Sequence, residues 1–458
     1  MIFKHSEQTS SGKKTGQVNI LLLLLLILLF IERMIVFKEL GPNYNSGADD
    51  INYVPSGIYF AKTGMITYGG EYPTALIMPG MPVIIGLFSL AFGDGQLLWV
   101  ALRVFWSCLG VFTAWYAYRT ATLISNQWGG IAAAAWFLLP NMAWMNHVIL
   151  TETPYILCFT MCLFYTLAMG NNDDRKWFVG YAVSFIIALM FRTNIVIMPI
   201  FTLVLLLVRR KSIKMLFKRF LLLLLIVLCI LTPWTIRNYN QFGAFVPLTY
   251  GAGQPLLQGT YQGEGYPEDS ELDYEIVAEE MHKKYAEYYK EQPEARTEND
   301  TAYALEYDPA GEVKELKQAQ FLFMQENALR AKYRIQKWIE FDYVGFLKSY
   351  LLIKPRWMLN WVWAWEEVFH VTYNTLHRIS QINFVFCVFS VFISLWKKKS
   401  MNILYIFIIY MVLVYIHATA FVTDRYASSL MVMRYIIAGA GVPITAGLFS
   451  NTEKLSKL

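Results

Sequence analysis

The run NILLLLLLILLFIERMIVF at residues 19–37 sets the solvent for the whole chain. A membrane span needs about 20 predominantly apolar residues, because the hydrocarbon core is about 30 Å thick and a helix rises about 1.5 Å per residue. No small-residue cleavage motif follows this run and further apolar runs do, so it reads as a retained first helix and not as a signal peptide. Comparable stretches recur near Leu97, Ile131, Tyr155, Phe178, Ile195, Phe220, Ile382, Ile403 and Met431. The expectation is about ten spans.

Composition agrees. Of 458 residues, 56% are hydrophobic and only 16% charged, against roughly 25% charged in a soluble domain. The five cysteines fall within apolar runs and show neither a disulfide framework nor metal-ligand spacing, so they read as small buried hydrophobes. The net charge of +5 matters less than its placement. Lys4, Lys13, Lys14, Arg119, Arg175, Lys176, the cluster Arg209 to Arg219, Lys397 to Lys399, Lys454 and Lys457 share one side if the chain crosses alternately. The positive-inside rule makes that side cytoplasmic, with both termini inside a bacterial plasma membrane. These runs are topology signals, not nucleic-acid patches.

Crossing parity then assigns residues 39–96 to a first outer loop, Glu152 to an outer turn, and Arg192 to the outer surface between two spans. Residues 76–92, LIMPGMPVIIGLFSLAF, are apolar but short and carry Pro79 and Pro82, which favours an interfacial or re-entrant helix. Were they to span, Glu152 would move inside. Residues 267–340 are charged and Tyr-rich with helical periodicity, as expected of an extracytoplasmic helical cap. Trp357, Trp361, Trp363 and Trp365 crowd a segment beginning near Phe346 that suits a helix at the headgroup level. Belt anchoring is the first reading and stacking on a sugar the second. The chain thus divides into 1–233, 234–372 and 373–458.

Asp49 and Asp50 lie just beyond the first helix, where a carboxylate can meet a lipid-borne donor and a water-borne acceptor. Glycosyl transfer from a sugar phosphate needs the acceptor hydroxyl deprotonated as it attacks, which one positioned carboxylate can do. Phosphate is a good leaving group, so the second carboxyl of a glycoside hydrolase is unnecessary. Either aspartate could instead cap the helix that follows. Glu152, two residues before Pro154, fits a helix start equally well as a cap. Arg192 among apolar runs calls for a partner, and a lipid phosphate is the natural one, with snorkelling to headgroups as the alternative. Arg237 and Arg425 also emerge at the outer surface, and three guanidinium groups at one level could clamp phosphate. The glycine-rich stretch 249–267 matches no nucleotide-binding fingerprint; a plain connector is the first reading and a sharply turning outer loop that lets backbone approach a sugar the second. The sequence demands no cofactor; a divalent cation is the one option it leaves open.

Five pieces, taken in order, resemble the protein O-mannosyltransferase superfamily of GT-C glycosyltransferases, which includes the bacterial lipid A aminoarabinose transferases. They are Asp49-Asp50-Ile51-Asn52-Tyr53 with Ala61 and Gly64; Met78-Pro79-Gly80-Met81-Pro82; Thr151-Glu152; Pro233-Trp234-Thr235-Ile236-Arg237-Asn238-Tyr239 followed by Phe242-Gly243-Ala244-Phe245-Val246-Pro247; and Asp424-Arg425-Tyr426. The fourth is the most specific. The resemblance implies an all-α polytopic fold with juxtamembrane helices, a donor sugar on polyprenyl phosphate, an extracytoplasmic acceptor and inversion at the anomeric carbon. It implies Asp49 as base with Asp50 its neighbour, and Glu152 and Tyr53 near the lipid phosphate or acceptor. Arg192, Arg237 and Arg425 would hold phosphate, with Asn238 and Tyr426 lining the substrate. Asp50 stands where the family often has Glu, and the Lys that the aminoarabinose enzymes carry after the first loop has no clear counterpart. A lipid-linked sugar transporter or flippase, or a membrane scaffold, is the other class open to such a chain. Against the transporter, no repeat symmetry is visible.

Overall fold

The computed structural model describes residues 3–286, 319–397 and 400–455. No strand occurs among them. The α-helices run in chain order as α1 Phe3–Leu40, α2 Asp50–Thr63, α3 Gly80–Phe92, α4 Gln96–Ile124, α5 Gln127–Ala135, α6 Pro140–Met145, α7 Glu152–Asn171, α8 Arg175–Phe191, α9 Met198–Val208, α10 Ile213–Phe242, α11 Gly253–Gly259, α12 Glu275–Lys284, α13 Ala319–Phe341, α14 Tyr343–Lys348, α15 Lys354–Asn360, α16 Tyr373–Trp396, α17 Met401–Ala418 and α18 Asp424–Leu455.

Seven of these are long and apolar enough to cross a membrane: α1, α4, α7, α10, α16, α17 and α18. The protein is a multi-pass membrane protein. The other three expected crossings, near Ile131, Phe178 and Ile195, are shorter pieces, and local chemistry explains each. Pro140 follows an extended Leu139 and splits the first into α5, a 3-10 turn and α6. The second, α8, has 17 residues and stops where Arg192 turns extended. The third is a 3-10 turn, Thr193–Ile197, leading into α9.

The bundle is built around α7 and α18, each 83% buried over its apolar stretch, whereas α1 and α10 are 17% and 11% buried and form its lipid-facing rim. Small residues allow the close approaches. A Cβ at Gly439 of α18 would meet the Ala133 nitrogen of α5 at 2.3 Å. Residues 76–92 contain α3, whose 13 residues rise only about 20 Å and cannot cross. Instead α3 packs on α2, and a Cβ on Gly57 would lie 2.3 Å from Ile85 Cγ2.

Within residues 267–340 two α-helices are described, α12 and α13, which share a small core with Phe242 and Tyr250 through Met281, Phe321 and Met324; residues 287–318 lie outside the described residues. Arg334 of α13 is buried and donates to Thr260 Oγ1 at 2.8 Å and the Pro267 carbonyl at 2.8 Å, fastening the glycine-rich connector. The tryptophan-rich segment departs from the expected continuous helix. Trp357 is helical, but α15 ends at Asn360 and residues 361–372 form a loop. That loop is tied to α18, where the Trp363 amide donates to Ser428 Oγ at 3.0 Å.

Basic groups gather at the other end of the bundle. Arg209 donates to Asn402 Oδ1 at 2.7 Å, Lys211 pairs with Asp173 at 3.0 Å and Arg219 donates to the Asp173 carbonyl at 2.7 Å. Lys398 and Lys399 and the side chains of Lys4, Lys13, Lys14, Lys454 and Lys457 lie outside the described residues.

Candidate active site

Four charged side chains from four separated segments meet at one end of the bundle. Glu152 opens α7 and its side chain is 1% exposed. A carboxylate so buried must be paired. Arg425, in the first turn of α18, grips it with two nitrogens: Nε to Oε1, and Nη2 to Oε2 at 3.2 Å. Arg192, extended between α8 and its 3-10 turn, donates from Nη1 to Glu152 Oε1 at 3.1 Å. The third Arg425 nitrogen, Nη1, reaches Asp49 Oδ2 at 2.6 Å. The two guanidinium groups balance the two carboxylates, and Arg425 lies between Asp49 and Glu152 as the shared cation.

Asp49 stands at the N-terminus of α2, yet its side chain accepts no amide of that helix. Its second oxygen accepts from the Tyr68 hydroxyl at 2.6 Å. Burial, reinforced by the Asp49 charge, pushes the Tyr68 phenol well up, so it stays a donor. Nothing in the sequence marked Tyr68, which shares only the loop with Asp49. With 39% of its side chain exposed, Asp49 is open to an incoming group while Glu152 is not.

Asp50 has a different setting. It is 2% exposed, and its carboxylate accepts from the Ser46 amide at 2.7 Å, Ser46 Oγ at 3.0 Å and the Ala48 amide at 3.1 Å. It closes the turn that presents Asp49. Tyr53, one helical turn on, is buried with its ring against Tyr68, centroids 5.6 Å apart. Burial raises its phenol pKa strongly, with the Asp49 charge next in weight. Tyr426 lays its ring 5.1 Å from the Arg192 guanidinium, and Tyr155 lies 5.8 Å away, a cation–π setting that holds the planar group.

Arg237 does not join this cluster. Its Nη1 donates to the Thr74 carbonyl at 2.6 Å and its Nη2 to the Ile66 carbonyl at 3.1 Å, so it braces the loop between α2 and α3. Neighbouring Asn238 is fully buried and donates to the Val246 carbonyl at 2.9 Å. Arg237 instead borders a groove of about 460 Å³ with Thr63, Met65, Pro79, Pro233 and Trp234. That groove is at the far end of α2, about 20 Å along the helix from Asp49. Among the described residues, no three or more His, Cys, Asp or Glu side chains are grouped to hold a metal ion.

The chain has the GT-C fold of membrane glycosyltransferases. It superposes on the oligosaccharyltransferase AglB of Archaeoglobus fulgidus, solved with an inhibitory peptide and a dolichol phosphate, with TM-score 0.50 and 10% identity over 95% of this chain. The apo form of the Archaeoglobus fulgidus oligosaccharyltransferase gives TM-score 0.51 at 10% identity, again over 95% of this chain. The chain spans about half the length of these enzymes, 51% and 52% respectively. ArnT of Cupriavidus metallidurans, bound to undecaprenyl phosphate, aligns over 94% of this chain and 78% of its own at 15% identity and TM-score 0.40. Residues 76–236 match the profile of the dolichyl-phosphate-mannose-protein mannosyltransferase family. That stretch contains Glu152 and Arg192 but neither Asp49 nor Arg425. No curated protein sequence matches the chain.

Proposed function

We propose that the chain is an inverting glycosyltransferase that moves a sugar from a polyprenyl-phosphate carrier to a hydroxyl-bearing acceptor on the outer face of a bacterial plasma membrane. The observation that carries this reading is Arg425 holding Asp49 beside Glu152, residues 376 and 273 positions away in sequence. An exposed carboxylate is thereby fixed next to guanidinium groups at a membrane-bundle end. The family match over 76–236 and the GT-C fold support it.

In the reaction, Asp49 takes the proton of the acceptor hydroxyl as its oxygen bonds to the anomeric carbon. The bond from that carbon to the phosphate oxygen breaks, and the carrier leaves with the electron pair as a phosphate monoester. Charge therefore develops on phosphate, where a fixed guanidinium is most effective. All three Arg425 nitrogens are engaged by carboxylates, which makes Arg425 a positioning residue. Among the described residues Arg192 hydrogen-bonds through Nη1 alone, and its remaining donors serve the carrier phosphate. Glu152 anchors both arginines, Tyr68 and Asp50 set the Asp49 geometry, and Tyr53 and Tyr426 line the space around it. Arg237 and Asn238 hold the outer loop in place. On this reading the basic end of the bundle and both termini are cytoplasmic.

The test is Asp49→Asn in the purified protein with a polyprenyl-phosphate hexose. Turnover falls by about 10²–10⁴-fold while donor binding persists. Unchanged turnover refutes the base assignment and favours a transporter or a non-catalytic scaffold.

A further inference from the structure

The loop of residues 361–372 carries three tryptophans whose role the transfer chemistry leaves unassigned. Trp363 is buried, its ring edge-on to Trp144 with centroids 4.9 Å apart. Trp365 stands at right angles to Trp363, centroids 5.6 Å apart, and is 48% exposed. Its indole Nε1 is not directed at headgroups. It donates to Asp424 Oδ2 at 2.9 Å, and Asp424 Oδ1 accepts the Arg425 amide at 2.8 Å. The exposed ring is thus one residue removed, through α18, from the guanidinium that holds Asp49.

Two further features set this ring apart from a membrane-belt anchor. Glu366 and Glu367 follow it directly and both are exposed, although carboxylates gain nothing from phosphate headgroups. Phe369 and His370 both adopt the left-handed conformation, at φ of 56° each. Two adjacent non-glycine residues there are unfavourable and persist only where surrounding contacts impose them. The loop is held in one shape in which the half-exposed indole is followed by two exposed glutamates.

A half-exposed indole followed directly by two exposed carboxylates offers the chemistry that a pyranose needs. The sugar's C–H face packs on the ring, and its hydroxyls donate to the carboxylates. A peptide acceptor would gain little from this arrangement, and a phospholipid would be repelled by the carboxylates. Building on the transferase reading, we propose that the Trp365 face with Glu366 is the acceptor subsite and that the acceptor is a carbohydrate.

The experiment is saturation-transfer NMR on the full chain in lipid nanodiscs, with mannotetraose as one probe and a serine- and threonine-bearing peptide as the other. Wild type transfers saturation to the ring C–H protons of the tetrasaccharide. Trp365→Leu, which keeps an apolar side chain but removes the aromatic face, loses at least about four-fifths of that signal, and Trp365→Tyr keeps most of it. Asp49→Asn is assayed for turnover in parallel, so that the transferase reading is tested on its own. Equal signals from wild type and Trp365→Leu, a response to the peptide alone, or no carbohydrate signal from wild type each overturn the proposal. The transferase reading fails separately, if Asp49→Asn still turns over while tetrasaccharide binding depends on Trp365.

Discussion

Arg425 and Glu152 are paired through two guanidinium nitrogens and both carboxylate oxygens, with the Arg425 side chain 12% and the Glu152 side chain 1% exposed. A bidentate pair of this kind, hidden from water, is far more sensitive to losing one partner than a surface pair. Arg425→Ala leaves a buried carboxylate with Arg192 as its remaining cation, and the expected loss is about 3–5 kcal/mol of stability. Thermal unfolding of the detergent-purified variant checks this. The double variant Arg425→Ala/Glu152→Gln should be less destabilised than the sum of the single changes, since the second removes the charge that the first strands.

Tyr68 offers a milder perturbation of the same site. Its hydroxyl donates to Asp49 at 2.6 Å, and a hydrogen bond to a charged group contributes about 1.5–3 kcal/mol. If part of that bond fixes Asp49 for proton transfer, Tyr68→Phe lowers kcat by about tenfold and leaves the donor KM near its original value. A change in KM alone would show that Tyr68 serves binding and not the orientation of Asp49.

The position of Asp49 also depends on how α2 lies on α3. At Gly57 an added Cβ would meet Ile85 Cγ2 at 2.3 Å and Ile85 Cβ at 2.4 Å. Gly57→Ala therefore destabilises the protein by about 1–3 kcal/mol through overpacking and lowers turnover by shifting α2. Because the Ile85 Cβ is itself in the way, Ile85→Ala should fail to restore the melting temperature of Gly57→Ala. Full rescue would mean that only the outer methyl groups clash.

Lys354, at the start of α15 and fully buried, donates to the Gly259 carbonyl at 3.0 Å and lies 4.0 Å from the Tyr350 ring centre. Burial pulls its pKa down from 10.5 to about 7. The sign follows from the native state resisting the proton that the unfolded chain keeps. Between about pH 7 and pH 10 the unfolded chain binds more protons, so stability rises with pH. Below that window the penalty is complete, and above it the penalty has gone. Lys354→Met should exceed wild type in melting temperature by most near pH 7, with the gap closing toward pH 10. A gap independent of pH would show that Lys354 enters the folded state charged.

Much of the architecture was legible in the residue string because lipid imposes a simple rule. Each crossing must satisfy its own backbone and expose apolar side chains, so long apolar runs announce themselves. The rule weakened at Pro140 and around Arg192, where the helices are interrupted and only shorter pieces form. The site was legible as separate charged residues at one membrane level, and their grouping was not. Asp49 and Asp50 are neighbours of one residue type, yet the first faces Arg425 and Tyr68 while the second closes a turn on Ser46 and Ala48. Arg192 and Arg237 looked equivalent, but two loop carbonyls, of Thr74 and Ile66, claim Arg237.

By itself, then, the amino-acid order determined that this is a helical membrane protein with several apolar crossings, and it supplied the charged residues between them as candidates. Those are consequences of transfer energies and helix length, which each segment carries alone. Only the tertiary structure decided that Arg425 bridges Asp49 and Glu152, and that the half-exposed Trp365 donates to Asp424 next to that arginine. Ion pairing and packing depend on distances between segments hundreds of residues apart, and no local pattern encodes those distances.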